Sequence, residues 1–330
     1  MKTFRSAIVG CGGIAKVHAA CLAHLPQTQL IACADIRPER AQAMADEHGA
    51  TAYDRLESML AGQAIDVLHI TTPHALHLPM AQAAAERGIA VFTEKPPVTN
   101  REQWAQMHQI AEKVPLGICF QNRYNDTTTC LRDQLAAGTW GKVLGARAVV
   151  TWCRSAPYYT DSGWRGTWAL EGGGALINQS IHTLDLMIYL LGSVTGVQSH
   201  MANFHLPGVI EVEDTVTARV AFAGGANGLF YATTAYATDA PVMLEIACEG
   251  GTLRLEDNIV TLTGGGRTQT IAFDQTPAMG QSYWGNSHLA AIGNYYRALE
   301  ENTPPPIGVA QVEDTMEIVL SMYEQNRDKL

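Results

Sequence analysis

One short stretch restricts the folding of this chain more than any other: Gly10-Cys11-Gly12-Gly13-Ile14-Ala15, placed directly after the apolar run 6–10. Small residues at positions 10, 12 and 15 let a strand turn tightly into a helix. The first makes the turn, the second lets backbone approach a pyrophosphate, and the third packs helix closely on strand. A helix opened this way offers free N–H groups and its positive dipole end to phosphate. Asp35 closes the second apolar run, 29–35, about 20 residues beyond the small-residue turn, where a carboxylate meets the ribose hydroxyls. Gly10, Gly12, Gly13, Ile14 and Asp35 are therefore the expected dinucleotide contacts. Asp35 favours NAD, because a 2′-phosphate would face its charge. Arg37 is the basic residue that would pair with that phosphate, so NADP stays open as the alternative.

Beyond this turn, residues 1–121 alternate apolar runs (6–10, 29–35, 51–53, 65–71, 89–94, 116–120) with helical patterns (14–24, 38–48, 55–60, 78–87, 100–113). Gly49 and Gly88 stand at C-cap positions, and Thr99 with Glu102 reads as a capping box. Regular alternation predicts a parallel sheet covered on both faces, a doubly wound Rossmann domain. The pattern changes at 122. Helices are expected at 127–137, 175–191, 287–300 and 311–325. Extended runs follow one another at 142–152, 194–204, 213–222, 227–236, 242–248, 252–255 and 270–273. Residues 122–330 read as an α+β domain with a large open mixed or antiparallel sheet. Val216, Ala218 and Val220 alternate along one strand and are expected on its uncovered face, an association surface for a homodimer or homotetramer.

Composition removes several classes of function. At 330 residues the chain exceeds the usual single-core size. A formal charge of −10 with no basic stripe argues against nucleic acid. Seven scattered cysteines without a C-x-x-C pair support neither a disulfide framework nor a zinc site, and no metal is expected. No apolar run is long enough to span a membrane, and the first residues hold no signal-peptide pattern. A cytoplasmic enzyme is the expectation.

Further segments carry chemistry: Thr71-Thr72-Pro73-His74-Ala75-Leu76-His77, Thr93-Glu94-Lys95-Pro96-Pro97, and Glu171-Gly172-Gly173-Gly174 continuing to Asn178, His182 and Asp185. With the glycine turn, these segments resemble the glucose–fructose oxidoreductase, inositol dehydrogenase and rhizopine-catabolism family, Gfo/Idh/MocA. Its members carry a glycine-rich first turn, T-P-x-x-x-H, E-K-P and G-G-G…H-x-x-D, in that order. The resemblance covers the full length. It implies a nicotinamide-dependent oxidoreductase that acts on a ring hydroxyl of a sugar or cyclic polyol, with Lys95 of E-K-P as a catalytic group.

Lys95 ends a parallel strand, at the edge where α/β sheets bind ligands. Desolvation there lowers a lysine pKa, which suits it to hold a substrate hydroxyl and help move its proton. Thr71, Thr72, Pro73, His77, Glu94 and Lys95 are expected along the cofactor, with His77 in a structural or pocket role. Asn178 and His182 are four apart and share a helix face. His182 is the expected acid/base, since imidazole matches proton transfer near neutral pH. Many members of the family place Asp where this chain has Asn178. The amide cannot supply that charge, so Asn178 is expected to position substrate while Lys95 and His182 share the proton work. Asp185 is expected only to cap or pair locally.

Arg123 and Tyr124 stand at the entry to the second domain, and Arg154, Tyr158, Tyr159, Trp164 and Arg165 on the loop before the glycines. The segment 121–125 resembles the family's junction into the substrate pocket, which implies Arg123 and Tyr124 as substrate contacts. Flat rings stack on the apolar faces of sugars while guanidinium groups bond oxygens, so Tyr158, Trp164 and Arg165 are expected contacts as well. The same composition serves subunit interfaces. Tyr283 and His288 are further residues that would reach the pocket. Two other readings stay open on sequence: a hydrolase that retains NAD and acts by transient oxidation, and a non-catalytic dinucleotide sensor. Intact Lys95 and His182 count against the second.

Overall fold

The computed structural model describes residues 3–274 and 287–329; Tyr283 lies outside the described residues. The chain divides into two compact units. One comprises the described residues of Met1–Gln121 and Ala278–Val312, the other those of Asn122–Pro277 and Glu313–Leu330.

In the first unit the strands are β1 (Phe4–Val9), β2 (Thr28–Ala34), β3 (Thr51–Tyr53), β4 (Val67–Ile70), β5 (Ala90–Thr93) and β6 (Leu116–Ile118). The helices between them are α1 (Gly13–His24), α2 (Pro38–His48), α3 (Leu56–Gly62), α4 (His77–Ala85) and α5 (Arg101–Ala111). All six strands are parallel in the order β3-β2-β1-β4-β5-β6, so this is a Rossmann sheet. Strand order reverses between β1 and β4, the switch point where such sheets bind ligands. Every residue of β4 and β5 is buried, as helices on both faces require. The register aligns the strand ends: Val9 pairs with Ala34 and Ile70, Ile70 with Thr93, and Thr93 with Ile118. Gly10, Asp35, Thr71, Glu94 and Cys119 thus follow one another along a single edge.

Helix α2 stops on Gly49, whose φ is 68°. At α5 the cap is Asn100 rather than Thr99 with Glu102. Asn100 accepts from the Gln103 N–H at 3.0 Å, and the Thr99 N–H and hydroxyl each donate to Gln103 Oε1 at 3.0 Å.

The helix His288–Glu301 groups with this unit and not with residues 122–330. It buries Tyr295 and Tyr296 fully. Gly117 on β6 makes room for it, since a Cβ there would lie 2.6 Å from Tyr295 Cδ2. Polar partners for Tyr296 on β1 and β4 complete the attachment.

The second unit contains α6 (Asp126–Ala136), β7 (Val143–Thr151), α7 (Ala156–Thr160), α8 (Ile181–Leu191), β8 (Val194–Ala202), β9 (Thr215–Phe222) and β10 (Asn227–Thr233). Then follow β11 (Met243–Cys248), β12 (Gly251–Glu256), β13 (Ile259–Gly264), β14 (Arg267–Phe273) and, after His288–Glu301 (α9), the helix α10 (Glu313–Asn326). Its eight strands run β14-β13-β12-β11-β7-β10-β9-β8. Only the β7–β10 pair is parallel, so the sheet is mixed. Helices α6, α8 and α10 pack against it.

Val216, Ala218 and Val220 lie on the covered face, at 0%, 3% and 0% exposure, and not on the open one. The open face carries their neighbours Thr217 and Arg219, the exposed Leu229, and an Arg147–Glu245 ion pair at 2.8 Å. The alternation was read correctly but its phase was not, because buried strand faces are the apolar ones. Strand β13 was not expected. Its signal was the Asp257-Asn258 dipeptide, both residues left-handed at φ 52° and 58°, which is hairpin-turn chemistry. Among the described residues no helix is long and apolar enough to cross a membrane.

Candidate active site

At the strand-end row of the first unit, Gly10 has φ +88°, and a Cβ on it would lie 2.7 Å from Thr72 Cγ2 and 2.9 Å from the Thr71 carbonyl. Only glycine serves there. Thr71 Oγ1 lies 2.7 and 3.0 Å from the Gly10 and Val9 carbonyl oxygens and ties the turn to β4. Gly12 differs: a Cβ would meet nothing within 4 Å. Gly13 is exposed and no side chain caps α1, so the N–H groups at Gly13 and Ile14 are available to an anion. Asp35 is fixed at the end of β2 by the Cys11 N–H at 2.7 Å and the Arg37 N–H at 2.8 Å, one on each oxygen. Each oxygen keeps a lone pair for a ribose hydroxyl. The Arg37 side chain is exposed, next to an Ile36 that is 88% exposed. These residues fit a dinucleotide.

Lys95 is half-buried just beyond β5, and the peptide to Pro96 is cis. His77 is buried between two carbonyls, with Nδ1 2.7 Å from Pro96 O and Nε2 2.8 Å from Thr72 O. It therefore links the Thr72-Pro73 loop to the E-K-P loop. Burial pushes its pKa down, against the pull of those two carbonyls. Set between these two carbonyls, the neutral ring donates to one of them and packs against the other.

In the second unit the run Glu171-Gly172-Gly173-Gly174 is shaped by residues distant in sequence. A Cβ on Gly173 would collide with the Tyr323 hydroxyl, and one on Gly174 with the Glu213 carbonyl. The fully buried Glu213 carboxylate accepts from Gly174 N at 3.0 Å, Leu176 N at 2.9 Å and the Tyr323 hydroxyl at 2.9 Å. Burial pushes its pKa up to about 7, with these donors holding it down. Glu213 thereby caps the segment that follows. That segment opens with a π-helical turn, Ala175–Ser180, before α8 begins at Ile181, where one continuous helix was expected. Such turns recur at functional sites, and Asn178 and His182 stand on either side of this transition. Asn178 Nδ2 donates to the buried Glu171, which also accepts from the Gly166 N–H.

Beside them, the Gln179 amide donates to the Tyr158 hydroxyl at 3.1 Å. The Arg165 guanidinium lies over the rings of Tyr158 and Trp164, 4.4 and 4.9 Å from their centroids. Arg154 pairs with Asp239 at 2.8 Å. Tyr158, Trp164 and Arg165 thus form one aromatic–guanidinium wall. Tyr159 is buried in a small cluster with Ile210 and Val212, against which Tyr158 packs with its ring edge-on at 5.0 Å. Arg123 is buried, and its Nε and Nη2 form a fork onto Asp185 at 2.8 and 2.5 Å, while Thr315 donates to the same carboxylate at 2.8 Å. Arg123 is held by this buried ion pair, and Asp185 is its partner rather than a local cap. Tyr124 beside it is half-buried. His288 belongs to the first unit and is buried there.

Sequence reasoning missed Glu213, Glu171, Tyr323, His18 and His69. A carboxylate at 171 directly before three glycines was a usable signal. Nothing local marked Glu213 or Tyr323, whose partners lie 37 to 146 positions away.

Comparison with known proteins agrees with this geometry. Residues 4–119 match the model of the oxidoreductase family with an NAD-binding Rossmann fold, and residues 129–254 match the GFO/IDH/MocA C-terminal domain. The chain is 32% identical over 254 residues to D-glucoside 3-dehydrogenase of Escherichia coli (strain K12), covering 71% of this chain and 70% of that one. It is 26% identical over 252 residues to myo-inositol dehydrogenase Hyg17 of Streptomyces leeuwenhoekii, covering 75% of each. The WlbA dehydrogenase of Bordetella pertussis, solved with NADH and UDP-GlcNAcA, superposes with a TM-score of 0.86 at 28% identity over 100% of this chain and 98% of that one. A glycine turn open to phosphate, an E-K-P strand end and a G-G-G helix entry occur here in one chain with these matches: it belongs to the Gfo/Idh/MocA family of NAD-binding oxidoreductases.

Proposed function

We propose that this chain transfers a hydride between NAD and a secondary ring hydroxyl of a sugar or cyclic polyol. The observation that carries the reading is the strand-end row of the first unit, where a turn open to pyrophosphate, the fixed Asp35 carboxylate and half-buried Lys95 share one edge. The substrate class is supported by relatives named for a glucoside and for myo-inositol. Asp35 favours NAD over NADP through its charge.

Bound NAD supplies the hydride acceptor. The role assigned to His182 is that of a base for a hydroxyl proton, and the role assigned to Lys95, protonated, is a hydrogen bond that stabilises developing negative charge on oxygen. Asn178, aimed by Glu171, positions the hydroxyl, and the Tyr158–Trp164–Arg165 wall receives the sugar ring. Replacing Lys95 by Met or His182 by Ala should lower kcat by about 10²–10⁴-fold, the typical cost of losing a general acid or base, while the Kd for NADH holds. Full activity in either variant would remove that residue from the chemistry.

The open sheet face, with Leu229 54% exposed, supports assembly into a homodimer or homotetramer through a second copy. A monomer mass by light scattering would refute this. The seven thiols suit a cytoplasmic location, which cell fractionation would check.

A further inference from the structure

A row of fully buried polar side chains runs behind Lys95 in the first unit. The Ser6 hydroxyl lies 2.5 Å from the Tyr296 hydroxyl, which lies 2.9 Å from His69 Nε2. His69 Nδ1 is 3.0 Å from His18 Nδ1, and His18 Nε2 is 3.0 Å from Glu94 Oε1. The other Glu94 oxygen accepts from the Lys95 N–H at 3.3 Å.

The donors and acceptors admit one consistent assignment with neutral rings. An ionised Glu94 can only accept, so His18 carries its proton on Nε2 and accepts on Nδ1. His69 then donates from Nδ1 and accepts on Nε2 from Tyr296, which accepts from Ser6. Every bond points the same way, toward the carboxylate, and such chains polarise cooperatively. Burial, followed by the neighbouring His18, pushes the His69 pKa well down, which agrees with a neutral ring. Glu94 is pulled below the usual carboxylate range: burial opposes this, but the His18 hydrogen bond and the neighbouring positive charges, Lys95 among them, prevail.

The titratable groups facing Glu94 are His18 on α1, with His69 on β4 behind it, Cys119 after β6, His288 on α9 and Lys95. His288 is buried, its Nδ1 has no partner among the described residues, and burial pushes its pKa down to about 4. The buried Cys119 thiol is pushed well up, and in the neutral-ring assignment the ammonium of Lys95 is a counter-charge to Glu94.

We propose that Glu94 is the positioning residue of Lys95, a fixed anion oriented by the one-way chain Ser6–Tyr296–His69–His18, whose charge sets the pH range over which Lys95 stays protonated. This rests on the role given to Lys95 above. Glu94→Gln keeps an oxygen for His18 and deletes the charge. Loss of a nearby anion lowers a lysine pKa, so the alkaline limb of the kcat/KM profile should move to lower pH by about one unit. Tyr296→Phe, which keeps the ring and removes the link to His69, should move it the same way by less. Long-range proton–nitrogen NMR of the wild-type chain at pH 6 and 8 should find His18 protonated on Nε2 alone and His69 on Nδ1 alone. An unmoved limb in Glu94→Gln overturns the proposal, as does a doubly protonated His18. Failure to oxidise any sugar refutes the function instead. The tautomers then decide alone, the one-way assignment supporting the chain and an imidazolium overturning it.

Discussion

Each unit is built around a glycine-rich turn, and the two use glycine for different reasons. In the first unit Gly12 faces empty space, whereas in the second a side chain on Gly174 would strike the Glu213 carbonyl. Gly12 leaves room for something outside the chain, whereas Gly10, like Gly174, is dictated by the chain itself. A ligand-shaped turn can be read from local sequence because the ligand's geometry is common to many proteins. A turn shaped by its own fold depends on contacts that sequence spacing does not reveal.

Alanine at each position sharpens the contrast. Gly174→Ala pushes a methyl into backbone that cannot move aside and should cost about 3 kcal/mol of stability by urea unfolding. Gly12→Ala should change stability by less than about 0.5 kcal/mol yet weaken NADH binding about tenfold or more, because the methyl takes the pyrophosphate's place. Equal stability losses in the two variants would erase the distinction.

Glu213 gives an effect that depends on pH. Its carboxyl rises from 4.5 to about 7 on folding, so the folded chain binds a proton that the unfolded chain releases. The associated stability is present below the unfolded value and is lost as pH rises through about 7, on the order of 3 kcal/mol in all. Glu213→Gln should flatten that part of the decline in urea-unfolding free energy between pH 5 and 8. A variant as pH-sensitive as the wild type would show that Glu213 is not its source.

Legibility in sequence follows the same division. The Rossmann half was readable almost strand by strand, because parallel strands buried on both faces are short apolar runs and Gly10, Gly12, Ala15 and Asp35 sit at fixed offsets. The second sheet was readable as a class, but the phase of Val216, Ala218 and Val220 was inverted and β13 was missed. Helix α9 was assigned to the wrong unit, since its attachment depends on the space above Gly117 and on Tyr295 and Tyr296. At the site, the roles proposed for Lys95, Asn178 and His182 rest on their segments. The Arg123–Asp185 pair could not be read, because its partners lie 62 positions apart.

The account turns on net hydride transfer. Purified enzyme with NAD and a panel of glucosides, free sugars and inositols, followed at 340 nm, should accumulate reduced cofactor with at least one of them, and faster with NAD than with NADP. Glycoside cleavage with no rise in absorbance, or dinucleotide binding without turnover of any substrate in the panel, would contradict it.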